Sequence, residues 1–147
     1  YFTKIFYDTP YNLFTHERVV LEGKSILLVC GIAKPAPLVT YIEKLAEEVH
    51  ILSYADHHYF LKKDIEEIRE TYNNWKSGNK VILTTEKDAA RLHLHADKLK
   101  EWDVTIAVIP IQVSFLFNKG SEFDKLILDY TEHTVNENNM MYYGEEQ

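Results

Sequence analysis

Ser25-Ile26-Leu27-Leu28-Val29-Cys30-Gly31 decides how the rest of the chain is read: an uncharged, mostly aliphatic run closed by a glycine. A short continuous apolar run bounded by a turn residue is the signature of a strand buried on both faces. Outward from it the pattern repeats. Pro35 and Pro37 suit the first turn of a helix, where a missing N–H costs little, and Leu38, Ile42, Leu45 and Val49 follow on one helical face. His50–Tyr54 reads as a second strand, and a helix carrying Ile65, Ile68, Tyr72 and Trp75 in register stops at Ser77-Gly78-Asn79. Lys80–Thr84 is a third strand, followed by a short helix, and Val104–Ile109 a fourth. A last helix carries Phe123, Leu126, Ile127 and Tyr130. Strands alternating with helices predict an α/β fold: a three-layer α/β/α sandwich around a mainly parallel sheet of about four to five strands.

Composition agrees. The 147 residues are 46% apolar and 27% charged, with 16 Lys plus Arg against 23 Asp plus Glu and a net charge of −7. That is enough apolar material for a core in one domain of ordinary size, and it excludes disordered and fibrous chains. The acidic balance, without a Lys/Arg cluster, argues against a nucleic-acid surface. No apolar run is long enough to cross a bilayer and no charged-then-apolar segment opens the chain, so neither a membrane span nor an export signal is expected. The single cysteine, Cys30, forms no internal disulfide and, inside an apolar run, makes a poor nucleophile. The opening, Tyr1 to Tyr7, is aromatic and lacks a methionine, which reads as a chain cut from something longer. Residues 1–24 are expected to be an arm with strand pieces at Thr3–Tyr7 and Arg18–Leu21, residues 25–134 the α/β/α lobe, and residues 135–147 a polar tail.

Chemistry is expected where polar clusters follow the carboxyl ends of three strands: Gly31-Ile32-Ala33-Lys34-Pro35, Ala55-Asp56-His57-His58 and Thr85-Glu86-Lys87-Asp88. Ligands of open α/β sheets bind at that edge, and right-handed crossovers bring such loops to one rim. In Asp56-His57-His58 a carboxylate sits beside imidazoles, a pairing suited to proton transfer near neutrality. The competing reading is a polar loop whose histidines cap backbone groups. Metal binding is a further reading, but neighbours in a chain seldom all point at one ion, and no third and fourth ligands are evident. His93 and His95 invite the same thought, with solvent exposure at a helix end the simpler account.

Thr85 and Asp88 have capping-box spacing. Lys87 is electrostatically misplaced in a first turn, which a phosphate or a carboxylate across the cleft would explain. Glu22-Gly23-Lys24-Ser25 is a decoy: the first glycine of a phosphate-binding G-x-x-x-x-G-K-[ST] loop would fall on Arg18, and the strand follows the motif when it should precede it.

Taken together, Leu28–Pro35, Tyr54–Phe60 and Leu83–Leu92 resemble the carboxyl-terminal part of tetraacyldisaccharide 4'-kinase, the lipid A 4'-kinase of Gram-negative bacteria. The resemblance is good over residues 26–92 and faint in residues 1–24, which look like the segment joining the family's two lobes. It implies transfer of the γ-phosphoryl of ATP, with Mg²⁺, to the 4'-hydroxyl of a lipid A disaccharide precursor, peripherally at the cytoplasmic face of the inner membrane. The P-loop, and with it most of the ATP and Mg²⁺ site, belongs to an amino-terminal lobe not found in these residues, so the chain alone is expected to be inactive. By the motif match His57 corresponds to the family's active-site histidine, which acts with an acidic residue of the other lobe, and Asp56 orients it. Gly31, Lys34, His58, Thr85, Glu86, Lys87 and Asp88 would line the substrate cleft, and no metal ligand is expected among them. Two other readings stay open at this point. One is a metal-dependent phosphoesterase of the Asp-His-His type, although the D-x-D pair such enzymes need is missing. The other is a non-catalytic lobe that binds an anion on its rim.

Overall fold

The computed structural model describes residues 2–142. The apolar runs become strands where they were expected: β3 spans Ser25–Cys30, β5 Lys80–Thr85 and β6 Ile106–Ile109, following β1 at Thr3–Tyr7 and β2 at Tyr11–Asn12. Strand β4 is Glu48–Ser53, and β7 is Ile111–Phe115. The helices are α1 (Ala36–Ile42), α2 (Lys62–Asn74), α3 (Glu86–Leu92), α4 (Ala96–Lys100) and α5 (Gly120–Tyr142). Residues 7–111 form one compact unit, while residues 2–6 and 112–142 belong to a second.

In the larger unit the sheet order is β2-β6-β5-β3-β4. Strands β6, β5, β3 and β4 run parallel, and β2 is antiparallel against β6, Tyr11 facing Val108. The sheet is therefore mixed, a parallel centre with one short antiparallel edge. Successive side chains of β3 point to opposite faces. Leu27 and Val29 join Ile65, Ile68, Ile82, Leu92, Leu99 and Val108 in a core beneath α2, α3 and α4. Ile26, Leu28 and Cys30 join Leu38, Ile42, Val81, Leu83 and Ile109 in a second core beneath α1. All six residues of β3 are buried, which is why that run shows no polar alternation. Each fully buried Leu, Ile or Val contributes about 1.5–3 kcal/mol, so these two cores are the main source of stability. Burial, with the Asp88 charge next in effect, pushes the Cys30 thiol up to about 11, leaving it protonated and unreactive at neutral pH.

Several boundaries differ from expectation: β6 begins at Ile106 where a start at Val104 was expected, and β7 was not anticipated. Helix α1 stops at Ile42, and Val49 lies in β4, because the parallel register pairs Ser25 with Glu48 and draws residues 48 and 49 into the sheet. The second strand of the arm is Tyr11–Asn12 in place of Arg18–Leu21. There the Asn12 carboxamide accepts the Phe14 and Thr15 N–H groups and His16 takes a left-handed φ of 59°, so the chain folds back and Arg18 keeps only an isolated bridge to Tyr11. Lastly, α5 continues through the expected polar tail as far as Tyr142, and residues 143–147 lie outside the described residues.

In the smaller unit β1 pairs with β7 as a two-stranded sheet. The Phe2 carbonyl accepts the Leu116 N–H at 2.8 Å, and the Phe115 and Phe123 rings meet at 4.8 Å. Leu126, Ile127 and Tyr130 of α5 are exposed. Among the described residues no helix is long and apolar enough to cross a membrane.

Candidate functional site

The three strand-end loops converge. The Gly31 N–H at the end of β3 donates to Asp88 Oδ2 in α3 at 2.9 Å. A Cβ on Gly31 would lie 2.9 Å from the Ala55 carbonyl and 3.4 Å from the His58 Cβ, so the loop after β4 rests directly on this glycine. Only a residue without a side chain permits that approach. Lys87 Nζ of α3 reaches Asp56 Oδ1 at 2.7 Å, tying the loop after β4 to the loop after β5. The cation that looked misplaced in a first turn thus has a carboxylate on the facing loop.

The two adjacent histidines do different work. His58 Nε2 lies 2.9 Å from Asp64 Oδ2, and its ring stacks on Tyr54 at a centroid distance of 4.8 Å. Asp64 Oδ2 also accepts the Leu61 N–H at 2.7 Å in the first turn of α2. Burial opposes the Asp64 charge, but the Leu61 N–H and His58 outweigh it and hold the carboxyl below its ordinary pKa. His58 is therefore a structural brace. His57 by contrast has a 72% exposed side chain and a left-handed φ of 62°. A histidine held there carries backbone strain of the kind that collects at functional sites. Its Nε2 lies 3.6 Å from Asp56 Oδ2, and its backbone N–H donates to Asp56 Oδ1 at 3.0 Å. The Lys87 hydrogen bond, with smaller help from His57, lowers the Asp56 pKa from its ordinary value against a small opposing effect of desolvation.

Beneath this rim Asp88 is fully buried. Its Oδ2 takes the Thr85 hydroxyl at 2.9 Å as well as the Gly31 N–H, and the Thr85 hydroxyl in turn accepts the Asp88 N–H. The expected capping box is half present: Thr85 caps α3, while the Asp88 carboxylate turns across to β3. Gly31, Thr85 and Asp88 are thus the frame of the cleft, and their side chains do not line it. Lys34 is exposed with no hydrogen bond or ion pair to another described residue. Glu86 is exposed, and its charge acts on the Tyr11 phenol of β2, whose pKa is raised by burial first and by Glu86 second. Outside the cleft, His93 packs on Phe14, and His95 is half-buried with Nε2 2.6 Å from the Phe60 carbonyl, a brace where simple solvation was expected.

Asp56, His57 and His58 do not share one focal point, and no group of three His, Cys, Asp or Glu side chains among the described residues is placed to hold a metal ion. A family model described as tetraacyldisaccharide-1-P 4'-kinase matches residues 3–132. The chain belongs to this family. It is 38% identical over 117 residues to the tetraacyldisaccharide 4'-kinase of Bacteroides thetaiotaomicron, covering 79% of this chain and 31% of that protein. Identity to the enzyme so named in Parabacteroides distasonis is 36% over 141 residues, covering 92% and 38% respectively. For that of Flavobacterium psychrophilum it is 38% over 139 residues, 92% and 36%. The chain therefore spans between 31% and 38% of the length of these curated relatives. No solved structure matches it.

Within this member of the tetraacyldisaccharide-1-P 4'-kinase family, Arg91 belongs to the cluster although nothing singled it out beforehand. Its Nη2 lies 3.4 Å from His57 Nδ1, its Nη1 3.6 Å from Asp88 Oδ1, and its guanidinium 5.5 Å from the Tyr59 ring centroid. The available signal was helical spacing: Arg91 stands four residues after Lys87, on the same face of α3.

The His58–Asp64 brace gives a pH prediction. Because the folded-state pKa of Asp64 is depressed, its contribution is complete above the ordinary carboxyl pKa of ~3.9 and is lost as pH falls through the lower folded value. Asp64→Asn is expected to cost about 1–3 kcal/mol at pH 7. Urea unfolding at pH 7 and pH 3 should show the parent losing more stability than the variant on acidification. An equal loss in both would remove Asp64 from the acid-sensitive set.

Proposed function

We propose that this chain is the carboxyl-terminal, acceptor-activating lobe of a lipid A 4'-kinase, and that His57 is the residue that takes the proton of the attacking hydroxyl. The observation that carries the reading is the exposed imidazole of His57, carried on a left-handed backbone at the carboxyl edge of the parallel strands among Asp56, Lys87 and Arg91. Phosphoryl transfer asks little of a protein beyond positioning and charge neutralisation, and this rim supplies both. Asp56 holds the loop through its own bond to the His57 N–H, and Lys87 fixes Asp56 in turn. As the sugar 4'-oxygen bonds to the γ-phosphorus and the bond from that phosphorus to the bridging oxygen breaks, releasing ADP, the hydroxyl proton passes to the His57 imidazole, so no alkoxide has to form free. Asp88, Thr85 and Gly31 keep the loops at their spacing without touching substrate.

ATP provides the transferred phosphoryl, and Mg²⁺ offsets the charge on it. We assign neither to this chain, whose sequence carries no phosphate loop and whose described residues hold no three-ligand cluster. We assign both to a P-loop lobe closing over this one, with the lipid A disaccharide 1-phosphate between them at the cytoplasmic face of the inner membrane. The Asp-His-His phosphoesterase reading draws no support from side chains turned to separate partners.

The test is a chimaera in which this chain replaces the matched segment of the Bacteroides thetaiotaomicron kinase, assayed for transfer from ATP to a tetraacyldisaccharide 1-phosphate. Transfer by the chimaera and none by the 147-residue chain alone is expected. Turnover by the chain alone, or a folded chimaera that binds both substrates and transfers nothing, would overturn the assignment.

A further inference from the structure

Arg91 has a geometry that goes beyond support of the loop. Its side chain is only 17% exposed, and it stands between a fully buried carboxylate and a largely exposed imidazole. On one side Nη1 lies 3.6 Å from Asp88 Oδ1. On the other Nη2 lies 3.4 Å from His57 Nδ1. Among the described residues neither Asp88 Oδ1 nor Arg91 Nη1 has a hydrogen-bond partner, so the pair is held by mutual charge. The Tyr59 ring, 5.5 Å from the guanidinium carbon, limits the room for other arrangements.

A guanidinium donates through all its N–H groups and accepts through none. Any nitrogen it faces at hydrogen-bond distance must offer a lone pair. We infer that Arg91 is a positioning residue that dictates the tautomer of His57: Nδ1 is the bare, accepting nitrogen and Nε2 carries the proton, directed toward the Asp56 side. Asp56 completes the arrangement, because its Oδ2 lies 3.6 Å from Nε2 and favours a hydrogen there. The two cations of α3 thereby divide the pair between them, Lys87 on Asp56 and Arg91 on His57. Asp88 anchors the whole from below, which links the buried frame to the proton of an exposed ring.

The assignment has a chemical consequence, which rests on the reading of His57 as the proton acceptor. A neutral ring with its hydrogen on Nε2 takes up a second proton only at Nδ1. Once that happens both nitrogens are donors, and Arg91 must leave Nδ1. Arg91 is then free to donate to an anionic oxygen nearby. The proton enters at Nδ1, the hydroxyl oxygen keeps its electron pair for phosphorus, and no other reactant is required.

The test reads the imidazole nitrogens directly. In the ¹⁵N-labelled 147-residue chain, long-range ¹H–¹⁵N spectra near pH 9, well above the ordinary imidazole pKa of ~6.5, report which nitrogen bears hydrogen. His57 is assigned by the loss of its signals in His57→Gln. The parent should show a bare Nδ1 and a protonated Nε2. In Arg91→Ala the two nitrogen shifts should move toward each other as the tautomers mix, while Arg91→Lys, which keeps a cationic donor, should retain the parent pattern. A parent ring protonated on Nδ1, or shifts unchanged in a folded Arg91→Ala, would overturn the inference. Should Arg91→Ala not fold, Arg91→Met, which keeps the length of the side chain but no donor, takes its place and should move the two shifts in the same way. These spectra do not depend on turnover, so failure of the tautomer assignment and failure of the kinase reading remain distinguishable.

Discussion

His57→Ala in the chimaeric kinase is expected to lower turnover by roughly 10²–10⁴, the range for losing a positioned proton acceptor, with substrate affinity changed much less. A companion variant separates chemistry from folding. With φ at 62°, the His57 backbone sits where a Cβ is unfavourable, so His57→Gly should be more stable than His57→Ala by about 1 kcal/mol. Both should be equally inactive. A residue whose replacement by glycine is easier on the fold, yet abolishes the reaction, is retained for chemistry. Chemical denaturation of the two variants and steady-state kinetics give both numbers. Unchanged kinetics in a folded His57→Ala would return the Asp56-His57-His58 loop to a structural role. A glycine variant less stable than the alanine one would show that the left-handed turn is not the strained element.

Much of this site was legible in the sequence, and the parts that were not share a cause. The strand Ser25–Cys30 is seen in full because burial on both faces leaves an unbroken apolar run, a pattern independent of neighbours. The convergence of the loops follows from parallel connectivity alone, so Gly31, Asp56 and Asp88 could be placed on one rim without coordinates. What failed to show was anything set by pairing across the chain. Val49 fits a helical face as well as a strand, and only the register of β4 on β3 decides between them. Asp88 carries a helix-cap signature, yet its carboxylate crosses 57 positions of sequence to the Gly31 N–H. Arg91 reads as an ordinary last-turn cation, and nothing local says that a strained histidine 34 positions away lies within reach. The division of labour between His57 and His58 is of the same kind, since it depends on Asp64 standing beside one ring and Arg91 beside the other.

Asp88→Ala is expected to be the most destabilising single change at the site, by about 3–5 kcal/mol, a large part of the 5–15 kcal/mol that a domain of this size commands. The reason lies in what the substitution leaves behind. Asp88 is fully buried, and its loss strands the Gly31 N–H and the Thr85 hydroxyl without an acceptor and Arg91 without its counter-charge. Unpaired buried donors cost about 1–3 kcal/mol each, and the stranded cation adds to that. Asp88→Asn keeps an acceptor oxygen and nearly the same volume, so it should lose only about 1–2 kcal/mol, chiefly the Arg91 interaction. Gly31→Ala attacks the same joint from the other side, because its Cβ would meet the Ala55 carbonyl at 2.9 Å and Asp88 Oδ1 at 3.3 Å; about 1–3 kcal/mol is expected. Since both substitutions open one hydrogen bond, the double variant should lose less than the sum of the singles by at least about 0.5 kcal/mol. Urea unfolding of the parent, the two alanine singles and the double variant measures that coupling, with Asp88→Asn as a fifth protein for comparison. Strict additivity, or an Asp88→Ala no less stable than Asp88→Asn, would mean that the loops are joined by something other than this buried carboxylate, and the rim that presents His57 would need a different foundation.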